Sequence, residues 1–249
     1  PFLRLLCASA HRADVRMTAL FTITIFAGAT LLFLVQPMFA RLVLPLLGGA
    51  PAVWNTAMVF FQAALLLGYA YAHASTARLG ARRQAVWHLA LLLAPLAVLP
   101  VALPAGWHPP TESNPIAWLL AVMALRVGLP FLVLATMSPV LQKWFSATGH
   151  PHAADPYFLY AASNAGSICA LLAYPLAIEP RLTLVQQTHA WAWGYSGFVV
   201  LAAICAGCVW RGRPSADRPA AAGVEAPPDE KPSLRRRVRK SPIHARSMR

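Results

Sequence analysis

Few side chains in this sequence have the types and spacing that chemistry requires. Cys205-Ala206-Gly207-Cys208 has the two-residue gap of redox and metal-binding pairs. It closes an apolar run without partner ligands, so we read no metal site and no redox centre there. His150-Pro151-His152 is a loop pair with no third ligand nearby, and His73, His88 and His189 flank the ends of apolar runs, where half-exposed polar tips are ordinary. The acids Glu112, Asp155 and Glu179 all stand at run ends, which argues against a dedicated carrier of polycations, since such a path needs acids at depth. No catalytic set and no cofactor-binding turn emerges.

Two deep polar positions remain. Arg126 is about ten residues into an apolar run, some ~15 Å along a helix rising ~1.5 Å per residue. A charge at that depth costs on the order of 2.5 to 3.5 kcal/mol on insertion scales, so it must face a bundle interior or a polar cavity. Two accounts stand side by side. Arg126 could form a polar site with Asn164, Ser163 and Ser167, or it could serve structure by binding carbonyls freed by Pro130 or by snorkelling to the interface. Around Asn164, Ala162, Gly166 and Ala170 recur every four residues, the spacing of a small-residue face that lets helices approach closely, with Asn as polar glue.

These positions need a frame, and composition supplies it. The 249 residues are 58% hydrophobic and 12% charged, too apolar to hide in a soluble core of this size. Apolar runs near 17–36, 52–72, 86–104, 116–137, 157–178 and 189–210 are each about 20 residues, the length a helix needs to cross a ~30 Å hydrocarbon layer. They lack the alternation of barrel strands, so the expected fold is all-α: a polytopic bundle of about six transmembrane helices. The Gln36-Pro37 pair suggests a break after the first run. Asn114-Pro115 and Asp155-Pro156 read as helix starts, a polar cap followed by proline. Trp54, Trp87, Trp107, Trp118, Trp144 and Trp191 lie near run ends, as an interfacial belt requires.

The net charge of +13 is concentrated rather than spread, which speaks against a nucleic-acid groove. Arg4, Arg12 and Arg16 precede the first run, Arg78, Arg82 and Arg83 separate the second and third, and Lys143 precedes the fifth; the opposite side has only Arg41 and Arg181. By the positive-inside rule both termini are cytoplasmic. From Arg211 on, eleven Lys or Arg face four acids. The expected organisation is an N-terminal arm (1–16), a six-helix membrane domain (17–210) and a disordered basic tail (211–249) whose Arg235, Arg236, Arg237, Arg239 and Lys240 contact anionic lipid headgroups.

Several strings carry a family resemblance. Residues 32–38 (LFLVQPM), 46–55 (LLGGAPAVWN), 60–62 (FFQ) through 68–73 (GYAYAH), 128–131 (GLPF), 138–145 (SPVLQKWF) and 155–167 (DPYFLYAASNAGS) occur in an order similar to the membrane portion of bacterial fused major-facilitator/spermidine synthase proteins. The resemblance covers roughly residues 20–205 and stops before the tail. It implies a helical inner-membrane module that, in longer relatives, precedes a cytoplasmic domain similar to polyamine aminopropyltransferases. Residues 211–249 supply neither the Gly-rich turn after a strand nor the acidic pocket of such an enzyme, so the resemblance implies the family label without its catalytic chemistry. The major-facilitator part implies a Gly- and Arg-rich loop between helices two and three. Arg78, Gly80, Arg82 and Arg83 stand there, but the motif's aspartate is missing and its spacing is not clean, so the preferred reading is a plain positive-inside loop.

Three roles follow as expectations. The first is a membrane module holding or serving a synthase-like domain. The second is a half-transporter for a small molecule, completed as a homo-oligomer, and the third is a noncatalytic anchor or assembly protein. The expected partners are the lipid bilayer, a second copy or a synthase-like domain, without nucleic acid.

Overall fold

The computed structural model describes residues 2–103, 106–110 and 114–211, with side chains from Asp14 onward; the tail beyond Arg211, including Arg235, Arg236, Arg237, Arg239 and Lys240, lies outside the described residues, as does Glu112. All regular structure among the described residues is helical, without a strand. Five stretches are long and apolar enough to cross a membrane: Asp14–Leu47, Pro51–Ala97, Pro115–Ser146, Tyr157–Arg181 and Leu184–Arg211.

The first helix, α1, runs Phe2–Leu47. It begins inside the stretch expected to be an arm and passes straight through Pro37 and Pro45. The expected break at Gln36-Pro37 does not form. Proline removes one backbone donor and crowds one carbonyl, a local cost that a membrane-length helix packed on its neighbours absorbs. The helix stops instead at Gly48, which adopts φ 70° while its N–H donates to the Leu44 carbonyl at 2.8 Å, a conformation that costs a Cβ-bearing residue energy. Pro51 then opens the next helix, where its missing N–H is no loss.

That next stretch, Pro51–Leu93, is two helices. Gly80 (φ 67°, ψ 163°) breaks it into α2 (51–79) and α3 (81–93). The chain reverses there. In one straight helix, Tyr71 and His88 would be about 25 Å apart, yet their rings stack with centroids 5.8 Å apart. Gln84 Nε2 likewise donates to Ser75 Oγ at 2.8 Å and to Thr76 Oγ1 at 2.7 Å. The expected helix at 86–104 therefore starts earlier and ends earlier, passing into a 3-10 turn at Ala94–Ala97 that holds Pro95.

The remaining helices are α4 (Pro115–Ser146), α5 (Tyr157–Arg181) and α6 (Leu184–Arg211). Asn114 caps α4, its Oδ1 accepting from Ile116 N at 2.9 Å. Both α4 and α5 contain a π turn, at Ala124–Gly128 and Tyr174–Ile178. Each turn ends two residues before a proline, Pro130 and Pro180, which lacks the N–H that the preceding turn would use. Arg181 repairs the second case by donating from Nη1 to the Leu176 and Ala177 carbonyls at 3.1 and 3.2 Å.

Neighbouring contacts set the directions. Thr30 of α1 donates to the Gly166 carbonyl of α5 at 3.3 Å, and Arg41 to the Glu179 carbonyl at 3.3 Å, so α1 and α5 run the same way. Thr24 meets Cys205 at 3.4 Å while Trp191 donates to the Leu31 carbonyl at 2.9 Å, so α6 runs opposite. Phe21 packs on Phe145 of α4, and Phe39 on Phe61, itself 4.9 Å from Phe131, which makes α4 antiparallel to α1. Gln84 beside Trp144 and His88 beside Thr136 make α3 antiparallel to α4. The six helices alternate in direction throughout. One end of the bundle therefore carries Asp14, the Gly80 turn, the 147–156 loop and Arg211; the other carries the Gly48 turn, residues 98–103 and the 179–184 corner.

Close approach between helices depends on small residues. The Ala162, Gly166 and Ala170 face of α5 is buried against α1, as its spacing predicts. A Cβ on Gly166 would lie 2.5 Å from the Phe26 carbonyl oxygen, and one on Gly68 of α2 would lie 2.9 Å from the Ala135 Cβ of α4.

Candidate functional site

The polar centre of the bundle is not the one the sequence pointed to. Arg126 sits half-buried in the π turn of α4, and its Nε donates to the Ala102 carbonyl of the segment that follows α3. It thereby latches a connecting segment to α4. It takes neither a carbonyl freed by Pro130 nor a place beside Asn164. Asn164 is exposed on the outer side of α5, opposite the small-residue face. Ser167 donates to the Ser163 carbonyl at 3.0 Å, a bond within its own helix. Arg126, Asn164, Ser163 and Ser167 thus do not converge. Arg78, Gly80, Arg82 and Arg83 do stand together, all exposed around the α2–α3 turn, where the backbone conformation at Gly80 explains the glycine.

What converges is a set from α2, α3 and α4. His88, expected at a half-exposed helix end, has no exposed surface, and neither does Gln84. Thr136 gives its hydroxyl proton to the Val133 carbonyl at 2.6 Å. Its oxygen is left as the acceptor for His88 Nε2, 3.1 Å away. The His88 proton is therefore on Nε2, which also lies 2.9 Å from Met137 Sδ, and Nδ1 faces the Tyr71 hydroxyl as an acceptor at 3.5 Å. One turn earlier, Gln84 spends its amide donors on Ser75 and Thr76 and accepts from Trp144 Nε1 at 3.3 Å. The Trp144 ring meets His88 edge-on at 6.0 Å. No buried side-chain nitrogen or oxygen among the described residues lacks a partner. Such a closed network specifies how three helices dock, because each amide, ring or hydroxyl would be left unpaired in any other register.

A signal for this cluster exists in the sequence once the turn is placed at Gly80. Ser75 and Gln84 stand five before and four after it, Tyr71 and His88 nine before and eight after. Polar residues mirrored about a glycine meet when the chain folds back there.

A second set lies at the end that carries Asp14. His150 is 2% exposed, and its Nδ1 accepts from His152 N at 3.1 Å, so Nε2 bears the proton and donates to the Asp14 carbonyl at 3.2 Å. Thr18 Oγ1 lies at 3.2 Å from the same nitrogen. The ring ties the 147–156 loop to the start of the first membrane span and borders a groove of about 600 Å3. Among the described residues no group of three or more His, Cys, Asp or Glu is placed to hold a metal ion.

At the opposite end, two apolar clefts of about 260 and 220 Å3 flank Tyr174, whose hydroxyl donates to Gln187 Oε1 at 3.1 Å. The first lies between α1, α5 and α6, the second between α1, α2 and α5. Neither holds an acid or a nucleophile; their linings are aliphatic and aromatic with Gln187 or Gln36 at one side. Cys205 packs on Thr24 and is not joined to any ligand set. No family model, no curated protein and no solved structure matches the chain.

Proposed function

We propose that the chain is a polytopic module of the bacterial inner membrane with six crossings and both termini in the cytoplasm, resembling the membrane portion of fused major-facilitator/spermidine synthase proteins and serving a polyamine-related cytoplasmic partner domain. The alternation of α1 to α6 carries the reading of topology. It gathers Arg16, Arg78, Arg82, Arg83 and Lys143 toward one end of the bundle and leaves Arg41 and Arg181 at the other, the asymmetry that keeps the first end inside. The helical part of the α3 crossing, 81–97, is 17 residues, the lower bound for spanning the hydrocarbon layer. The family part of the reading is supported by the quoted strings, including 46–55, which supplies the Gly48 stop and Pro51 start, and 138–145, which supplies Trp144.

A second reading, half of a small-molecule transporter, is favoured by the two clefts beside Tyr174. The closed network around His88 favours the first, since a sealed polar core fixes helices rather than opening a path. The test is orientation. Membranes washed at alkaline pH retain the chain, and a fluorescent protein fused after Arg249 fluoresces while alkaline phosphatase at the same point stays inactive. Active phosphatase overturns the proposal.

A further inference from the structure

We propose that the outer face of α5 is the contact between two copies of this chain, joined by a hydrogen bond between the two Asn164 amides. This goes beyond the module reading, which requires no second copy.

Asn164 stands seven residues after Tyr157, about 10 Å along α5 and inside the stretch apolar enough to span a membrane. It is exposed, and the chain's other described residues give it no hydrogen bond. A carboxamide directed at hydrocarbon loses the hydrogen bonds it had in water and gains none from acyl chains, so what covers it must bring polar atoms of its own. The amide is self-complementary, with an accepting oxygen and two donor hydrogens, so its own copy satisfies it. Copies inserted in the same sense are related by a two-fold axis along the membrane normal, and a residue near that axis meets its counterpart at its own depth.

The surrounding stripe has the spacing of a helix pair. Tyr157, Ala161, Asn164, Ile168 and Leu171 follow one another at intervals of four and three, the 3.5-residue repeat along which two helices interlock. All five are exposed, Tyr157 at 79%, Ile168 at 58% and Leu171 at 53%, whereas the opposite face of α5 is already used against α1. Ala161, one turn before Asn164, leaves room for the close approach that a short amide needs.

The experiment uses the full chain in lipid vesicles with Cys7, Cys169, Cys205 and Cys208 replaced by alanine. Ala161→Cys and Ile168→Cys give disulfide-linked dimers on mild oxidation, whereas Leu66→Cys, on the equally exposed face of α2, does not. In a dilution series read by energy transfer between labelled copies, Asn164→Leu weakens self-association roughly three- to thirty-fold, the range of single interhelical hydrogen bonds, and Asn164→Gln restores most of it. Failure of both stripe cysteines to cross-link overturns the proposal. So does Leu66→Cys linking as readily as Ile168→Cys, or an association unchanged by Asn164→Leu.

Discussion

Replacing Gln84 with leucine removes three hydrogen bonds from a site with no exposed surface, two donated to Ser75 and Thr76 and one accepted from Trp144. Side-chain bonds between membrane helices are worth about 0.6 kcal/mol on average and about 1.7 kcal/mol at most, so the three together contribute about 2 kcal/mol. Ser75 keeps its bond to the Ala72 carbonyl at 3.2 Å. The Trp144 indole N–H keeps nothing, and a stranded buried donor raises the expected loss to about 4 kcal/mol. The assay is reversible unfolding in lipid bicelles, run as a cycle with Trp144→Phe. In the Phe background there is no indole donor to strand, so the Gln84→Leu loss shrinks by the missing bond and that penalty together, about 3 kcal/mol. A loss under about 0.5 kcal/mol, or two losses that simply add, refutes the claim that this network holds the α2–α3 hairpin against α4.

Gly166→Ala places a methyl 2.5 Å from the Phe26 carbonyl and forces α1 and α5 apart, with a loss of about 1 to 3 kcal/mol; Gly197→Ala meets nothing within 4 Å and is neutral or stabilising by up to about 1 kcal/mol, both read in the same unfolding assay. Arg126→Leu frees the segment at Ala102 while changing unfolding free energy by about 1 kcal/mol or less, so a cysteine at His108 reacts faster with a soluble reagent, and an unchanged rate contradicts the latch. Glutamine at Arg235, Arg236, Arg237, Arg239 and Lys240 together weakens attachment of the tail to anionic vesicles by roughly 1 kcal/mol per residue in low salt, and the difference fades as salt is added.

The helices were legible because bilayer thickness translates directly into run length, and five described stretches have that length and apolarity. Pro37 misled. A proline reads as a stop in isolation, but its cost is one bond, and whether the helix continues depends on packing that Phe33 and Phe39 supply only in the assembled bundle. His88 misled for a related reason. Its place near the start of an apolar run suggested an interface, and only the fold-back at Gly80 brings Tyr71 and Thr136 around it. Asn164 illustrates the converse. The small-residue spacing beside it was correctly read as a packing face, yet that spacing belongs to Ala162, Gly166 and Ala170, and a residue two positions on from Ala162 is turned by about 200° to the other side. Arg126 was read as seeking polar groups within the bundle, and the carbonyl it found belongs to a connecting segment whose path no helical periodicity encodes.

The most direct test of the account is whether Gly80 returns the chain across the bilayer. Single cysteines at Gly49, Arg83, His108, His152 and Leu182, one in each connection, are exposed in intact cells to a thiol reagent that cannot cross the membrane. Six alternating crossings predict labelling at 49, 108 and 182 and protection at 83 and 152. Protection at 108 together with labelling at 152 would mean that 51–97 crosses only once, and the proposed topology, with both termini inside, would be wrong.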